Sequence, residues 1–208
     1  IIADREARDT LVITRERSRQ VFEFAFELAR SRASAGGKSK VTLVDKANVF
    51  SSMAFFRKVF DEVAATHTDI ETERLYVDAC ALDLVRRPWE FDVLVTENMF
   101  GDILSDLAAG LVGGMGFAPS ADIGDSRAVF QPAHGSAPDI VGKGIANPTA
   151  AILSGAMMLD WLGRKHQLSS CLDAGRLIEE AVEQALQGGA EAFSSTAGMT
   201  QRVMDAIG

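Results

Sequence analysis

Apolar positions in the first third of the chain recur at helical spacing. Val21, Phe22, Ala25, Phe26, Leu28 and Ala29 fall on one side of a segment from Thr14 to Arg32, with arginine and glutamate opposite, which predicts an amphipathic helix. Ser34-Ala35-Gly36-Gly37 ends it as a flexible connector. Val41-Thr42-Leu43-Val44 reads by composition as a short buried strand. A second helix is expected over Ser51–Thr66, carried by Phe55, Phe56, Val59, Phe60 and Val63. Glu71–Val77 fits a strand with mixed faces, Ala79–Arg86 a helix that stops before Pro88, and Phe91–Thr96 another short apolar strand.

Beyond these segments the texture changes. Gly110, Gly113, Gly114 and Gly116, followed by Pro119, suit a backbone that turns sharply, and a domain boundary is expected there, dividing residues 1–112 from 113–208. Ala128–Phe130 predicts a brief strand, and His134–Pro148 a loop rich in glycine and proline. Asn147-Pro148 combines a capping residue with proline at the first helical position, opening a helix to about Leu162 that Gly163 closes. Asp173–Leu186 is amphipathic and stopped by Gly188-Gly189, and a last helix spans Thr196–Ile207. Strands alternating with helices imply α/β architecture. The chain opens on Ile1-Ile2 and enters an amphipathic pattern almost at once, which reads as the continuation of a longer protein.

Composition narrows the function classes. With 208 residues and 47% hydrophobic content, the chain can build one large domain or two small ones. A net charge of −8 with no basic block argues against a nucleic-acid partner. No apolar run approaches the ~20 residues of a membrane span, and no signal peptide is visible. Cys80 and Cys171 are isolated, so neither a zinc site nor a disulfide framework is indicated and a cytoplasmic location is the default. His67 and His166 are expected at the surface, Trp89 and Trp161 in packing, and Met115, Met157 and Met158 in the core.

The candidate chemistry gathers in four places. If Asn98–Asp106 is helical, Asp102 and Asp106 lie one turn apart on one face, where like charges repel unless a cation sits between them. Mg²⁺ or Mn²⁺ fits such hard oxygen donors; a solvated acidic face is the plainer alternative. Lys46 and Asn48 follow the Val41–Val44 strand directly, where open α/β sheets place ligands; Lys46 is a candidate acid or base, or simply a loop lysine. Asp78 ends the next strand-like run, as a third carboxylate or a helix cap. The loop His134-Gly135-Ser136-Ala137-Pro138-Asp139 offers a ring, a permissive glycine and an acid. It could hold an adenosine, with the carboxylate favouring a free ribose hydroxyl and hence NAD over NADP, or be a structural turn in which His134 caps backbone groups. No GxGxxG is present.

Taken together, Asp45-Lys46-Ala47-Asn48, Tyr76-Val77-Asp78, the Asn98–Asp106 segment and the run from His134-Gly135-Ser136-Ala137-Pro138-Asp139 to Asn147-Pro148 resemble the isocitrate/isopropylmalate dehydrogenase family, the NAD(P)-dependent β-decarboxylating dehydrogenases. The resemblance implies a three-layer α/β/α subunit of two domains: a small, dimer-forming one with the metal and catalytic residues, and the C-terminal part of a large, cofactor-binding one. It implies a homodimer whose active site lies between the domains and is shared across the dimer. Carried over by motif, Asp102 and Asp106 bind Mg²⁺ or Mn²⁺, Asp78 completes the site from the partner, and Lys46 reaches in from the partner to take the substrate hydroxyl proton. Asn48 lies near the nicotinamide end, and His134, Gly135, Ser136, Ala137, Asp139 and Asn147 hold the adenosine end of NAD. The implied reaction oxidises a small 2-hydroxy acid by hydride transfer to NAD⁺ and releases its β-carboxylate as CO₂, the ion stabilising developing negative charge.

Two departures stand out. The family's initial segment, with its substrate-binding arginines, has no counterpart here. The family's proton-donating tyrosine lies shortly before the helix matching Thr14–Arg32, whereas Tyr76 is the single tyrosine of this chain and belongs to another motif. By itself the chain is therefore expected to be inactive. The Leu107–Gly116 and Ile123–Asp125 texture looks nearer isocitrate and homoisocitrate dehydrogenases than isopropylmalate dehydrogenases. The alternatives are a tartrate- or malate-type decarboxylating dehydrogenase, a non-catalytic regulatory subunit of the same family, or a scaffold without a ligand.

Overall fold

The computed structural model of the chain describes residues 5–187 and 195–208. It divides into two compact units, Ile1–Leu107 and Ala108–Gly208.

In the first unit, β1 (Lys40–Asp45) pairs in parallel with β2 (Glu71–Tyr76) on one side and β3 (Val93–Val95) on the other. A central parallel strand must be covered on both faces, which is why Val41–Val44 is unbroken in apolar or small polar residues. Val41 and Leu43 join Phe22, Phe26, Phe56, Phe60 and Val63 from α1 (Arg15–Ala33) and α2 (Ser51–Ala64). Val44 joins Cys80, Leu84 and Leu104 from α3 (Val77–Arg86) and α4 (Asn98–Leu111). The unit is thus a three-layer α/β/α sandwich, as expected. Its fully buried rings Phe22, Phe26 and Phe60 each supply about 1.5–3 kcal/mol of transfer free energy. The rings interlock, Phe22 edge-on to Phe60 at 5.2 Å and Phe26 stacked on Phe60 at 5.7 Å.

The second unit pairs β4 (Pro119–Ile123) with β5 (Ala128–Pro132) as an antiparallel hairpin against α5 (Thr149–His166). Helices α6 (Ser169–Leu186) and α7 (Thr196–Ile207) complete it around Ala181, Val182, Ala185, Met199 and Val203. Strand β4 carries no prior apolar signal, because Pro119-Ser120-Ala121-Asp122 offers little side chain to bury; Pro119 is tolerated because it is the first residue of the strand.

Several expectations need correction. Helix α5 does not close at Gly163. It runs on to His166 and ends on Gln167, which takes a left-handed conformation at φ 55°. Gly163 instead lets α5 approach α6: a Cβ there would lie 2.6 Å from Leu172 Cδ2. Helix α3 begins at Val77, drawing Asp78 into its first turn. His67 is not a free surface residue: its ring stacks on Phe26 at 4.6 Å, receives Arg30 on Nδ1 at 3.1 Å and meets Glu23 through Nε2 at 2.8 Å. Trp89 is exposed, not packed, and Met115 and Met158 are exposed as well. Trp161 does pack, 6.0 Å from Phe130. The helix stop assigned to Gly188-Gly189 lies outside the described residues. Among the described residues, no helix is long and apolar enough to cross a membrane.

Candidate active site

The candidate residues of the first unit leave the carboxyl ends of its parallel strands. The chain passes from β1 to β2 on one side and then to β3 on the other, giving the strand order β2-β1-β3. Such a reversal opens a crevice at the strand ends, the usual place for a ligand. Lys46 follows β1, Asp78 lies two residues past β2, and Asp102 and Asp106 ride on the helix after β3.

Lys46 and Asp78 are brought together. The Lys46 ammonium donates to Asp78 Oδ1 and lies 5.8 Å from the centre of the Tyr76 ring. Lys46 is mostly covered, whereas the Asp78 side chain is 69% exposed and so can serve a second partner. The Lys46 ammonium, with the backbone N–H groups of Asp78 and Ala79, holds the Asp78 carboxyl below the usual carboxylate range. Asn48 is exposed in the turn that follows, where Val49 and Phe50 N–H groups both close on the Lys46 carbonyl.

Asp102 and Asp106 are set by what α4 buries. Phe100 and Leu104 point into the core, so the positions two residues on face outward with Met99 and Ile103. Glu97 fixes where the helix starts: its carboxylate accepts the Phe100 N–H at 2.7 Å and the Met99 N–H at 3.0 Å. The sequence signal for that cap is an acid directly before a helix-forming run. Among the described residues, no cationic side chain pairs with Asp102 or Asp106. Two exposed carboxylates one turn apart, with nothing opposing their repulsion, fit a hard divalent cation. Asp78 is not drawn into the same cluster: among the described residues, no three acidic, histidine or cysteine side chains of the chain gather into a metal-sized group.

The second unit carries the adenosine-like candidates. His134 Nδ1 donates to the Gly135 carbonyl at 2.9 Å, because a carbonyl only accepts. In the neutral ring this leaves Nε2 as an acceptor. Gly135, Ser136, Ala137 and Asp139 are all exposed along the same loop. Ala137 is held in the left-handed region at φ 42° just before Pro138, a strained position for a residue with a Cβ. Asn147 Oδ1 accepts the Thr149 N–H at 3.0 Å and so caps α5, which begins one residue later than expected. Gly116 makes room for it, since a Cβ there would lie 2.8 Å from Asn147 Cβ. Thr196, at the start of α7, ties the approach to Asn147 by donating its N–H to Gly144 O and its hydroxyl to Ala146 O. Its role escapes sequence reasoning because the contact is made across the fold.

Residues 1–207 match the profile of the isocitrate/isopropylmalate dehydrogenase family. The chain is 49% identical over 178 residues to the 3-isopropylmalate/3-methylmalate dehydrogenase of Methanocaldococcus jannaschii, covering 85% of this chain and 51% of that protein. It is 45% identical over 202 residues to the isocitrate/homoisocitrate dehydrogenase of Thermus thermophilus, covering 94% of this chain and 57% of that one. The crystal structure of isocitrate dehydrogenase from Methylococcus capsulatus superposes with a TM-score of 0.86 at 42% identity, covering 100% of this chain and 61% of that chain. The chain belongs to the isocitrate/isopropylmalate dehydrogenase family. It spans about half the length of the curated relatives it matches.

Proposed function

We propose that the intact protein is an NAD-dependent and Mg²⁺- or Mn²⁺-dependent dehydrogenase that oxidatively decarboxylates a small 2-hydroxy acid, working as a homodimer with shared sites. The observation that carries this is the separation of two half-sites in one chain. Lys46 and Asp78 are paired with each other, while Asp102 and Asp106 have no cationic partner among the described residues. Each half-site is flanked by exposed apolar side chains. On α3, Asp78, Leu82 and Val85 share a face, Leu82 and Val85 being more than half exposed; on α4, Met99 and Ile103 are similarly exposed beside the diacid. Both faces suit burial against a second copy, which would bring the partner's carboxylates to the diacid.

When bound, a divalent ion supplies a fixed positive charge for the substrate's oxygens, and the dinucleotide accepts the hydride. Asp102 and Asp106 hold the ion, with Asp78 supplied from the other subunit. The Lys46 amine, its resting proton released to water as substrate binds, takes the substrate's hydroxyl proton, and the Asp78 carboxylate stabilises the ammonium so formed. His134 and Asp139 hold base and ribose, Gly135, Ser136 and Ala137 shape the loop between them, Asn147 orients its far side, and Asn48 faces the nicotinamide end. A carboxylate at Asp139 favours NAD over the phosphorylated cofactor.

The test is NADH formation by the intact protein on isocitrate, homoisocitrate, 3-isopropylmalate and tartrate, with and without Mg²⁺ or Mn²⁺. Metal-dependent turnover on one of them is expected, and no turnover on any would end the proposal. Relatives named for different substrates match at 49% and 45% identity, so the panel must choose the acid. One observation favours a second reading, a regulatory subunit: Leu11-Val12-Ile13-Thr14, leading into α1, carry no phenol. Asp102→Ala separates the two, abolishing metal-dependent turnover in an enzyme and altering only an effector response in a regulator.

A further inference from the structure

Asp45 ends β1 and is fully buried, although it is charged. A buried carboxylate persists only where donors surround it. Asp45 has three: Arg57 Nε at 2.7 Å, Arg57 Nη2 at 2.8 Å and the Ala47 N–H at 2.9 Å. The last of these closes a turn around Lys46, which lies between Asp45 and Ala47. Arg57 comes from α2 and does more than neutralise. Its guanidinium lies 5.1 Å from the centre of the Tyr76 ring, and Tyr76 is the β2 residue in register with Asp45. Tyr76 leads directly into Val77 and Asp78, and Asp78 accepts from Lys46. One side chain therefore grips the ends of both strands that present the Lys46–Asp78 pair.

We propose that Asp45 and Arg57 are positioning residues for the reaction proposed above: they hold Lys46 and Asp78 in place from behind without touching substrate. The inference rests on that reaction for its catalytic meaning and on the clamp geometry for its structural content. A buried ion pair is weak evidence of a stabilising role, since apolar replacements often serve as well. A two-bond fork that also stacks on a ring fixes orientation, and lysine cannot reproduce it.

The experiment compares Arg57→Lys and Asp45→Asn with wild type in the intact protein, by steady-state kinetics and by amide exchange at Ala47. Arg57→Lys is expected to lower kcat about tenfold or more with KM moving less than about twofold, since geometry at the reacting atoms is disturbed and binding is not. Added to Lys46→Ala, the same change should cost clearly less than its roughly tenfold loss in wild type, because only the part of its effect that passes through Asp78 remains. Exchange at Ala47 should quicken about tenfold as its charged acceptor loosens, while the Val41–Val44 amides hold. An unchanged kcat, an equal further loss in the Lys46→Ala background, or unchanged Ala47 exchange would each overturn the inference. If Asp45→Asn does not fold, Arg57→Lys carries the test. If wild type makes no NADH on any substrate, the proposed function falls, and Ala47 exchange still decides whether the clamp exists.

Discussion

Asp78 and Asp102 are both exposed aspartates on helices, yet their surroundings differ in a way that can be measured. Asp78 has the Lys46 ammonium against it and its carboxyl is held down; its charge is favoured in the folded protein. The contact therefore contributes above the ordinary value of 3.8 and is lost as pH falls through the lower folded value. Carboxyl NMR titration should give Asp78 a midpoint below 3.8 that returns toward 3.8 in Lys46→Met. An unshifted Asp78 would deny the pairing. Lys46, Asp78, Asp102 and Asp106 were legible in the sequence because each stands at a strand end or at helical spacing from its partner. Asp45, Arg57 and Glu97 were not, because their importance comes from the hydrogen bonds they make once folded. A usable signal existed at Asp45: an acid that ends an apolar central strand is taken out of water and so needs a donor.

Elements were more legible than their ends. Every helix with an apolar stripe forms near its expected place, since burying that stripe is what stabilises it. Glycine misled the reading of α5, because a glycine late in a helix serves equally as a stop or as a point of close approach. Gly163 and Gly155 make the distinction testable within one helix. A Cβ at Gly163 would meet Leu172 Cδ2 at 2.6 Å and the Leu172 backbone N at 3.0 Å, whereas one at Gly155 meets nothing within 4 Å. Gly163→Ala should therefore destabilise by ~1–3 kcal/mol through overpacking. Gly155→Ala should stabilise by ~0.5–1 kcal/mol through helix propensity. Urea unfolding checks both, and the same sign for the two would contradict the packing described. Strand β4 was missed for the opposite reason: it is held by pairing to β5 and carries little pattern of its own.

At the scale of the molecule, the first unit is a parallel three-layer sandwich in which Lys46, Asp78 and the α4 diacid follow the carboxyl ends of the strands. The second supplies a strained, exposed loop with His134 and Asp139, and a capped helix start at Asn147. Exposed Leu82, Val85, Met99 and Ile103 explain why apolar periodicity alone overstates the core: a helix can be amphipathic toward its own sheet and carry further apolar side chains on a face its own unit leaves exposed. The most direct measurement is subunit complementation. Asp78→Asn and Asp102→Asn versions of the intact protein, each inactive alone, are mixed, dissociated and reassociated, and NADH formation is followed. If each ion is held by Asp102 and Asp106 of one copy and Asp78 of the other, half the dimers are hybrids with one intact site, and about a quarter of wild-type activity returns. If all three aspartates act within a single chain, no intact site can form and no activity returns.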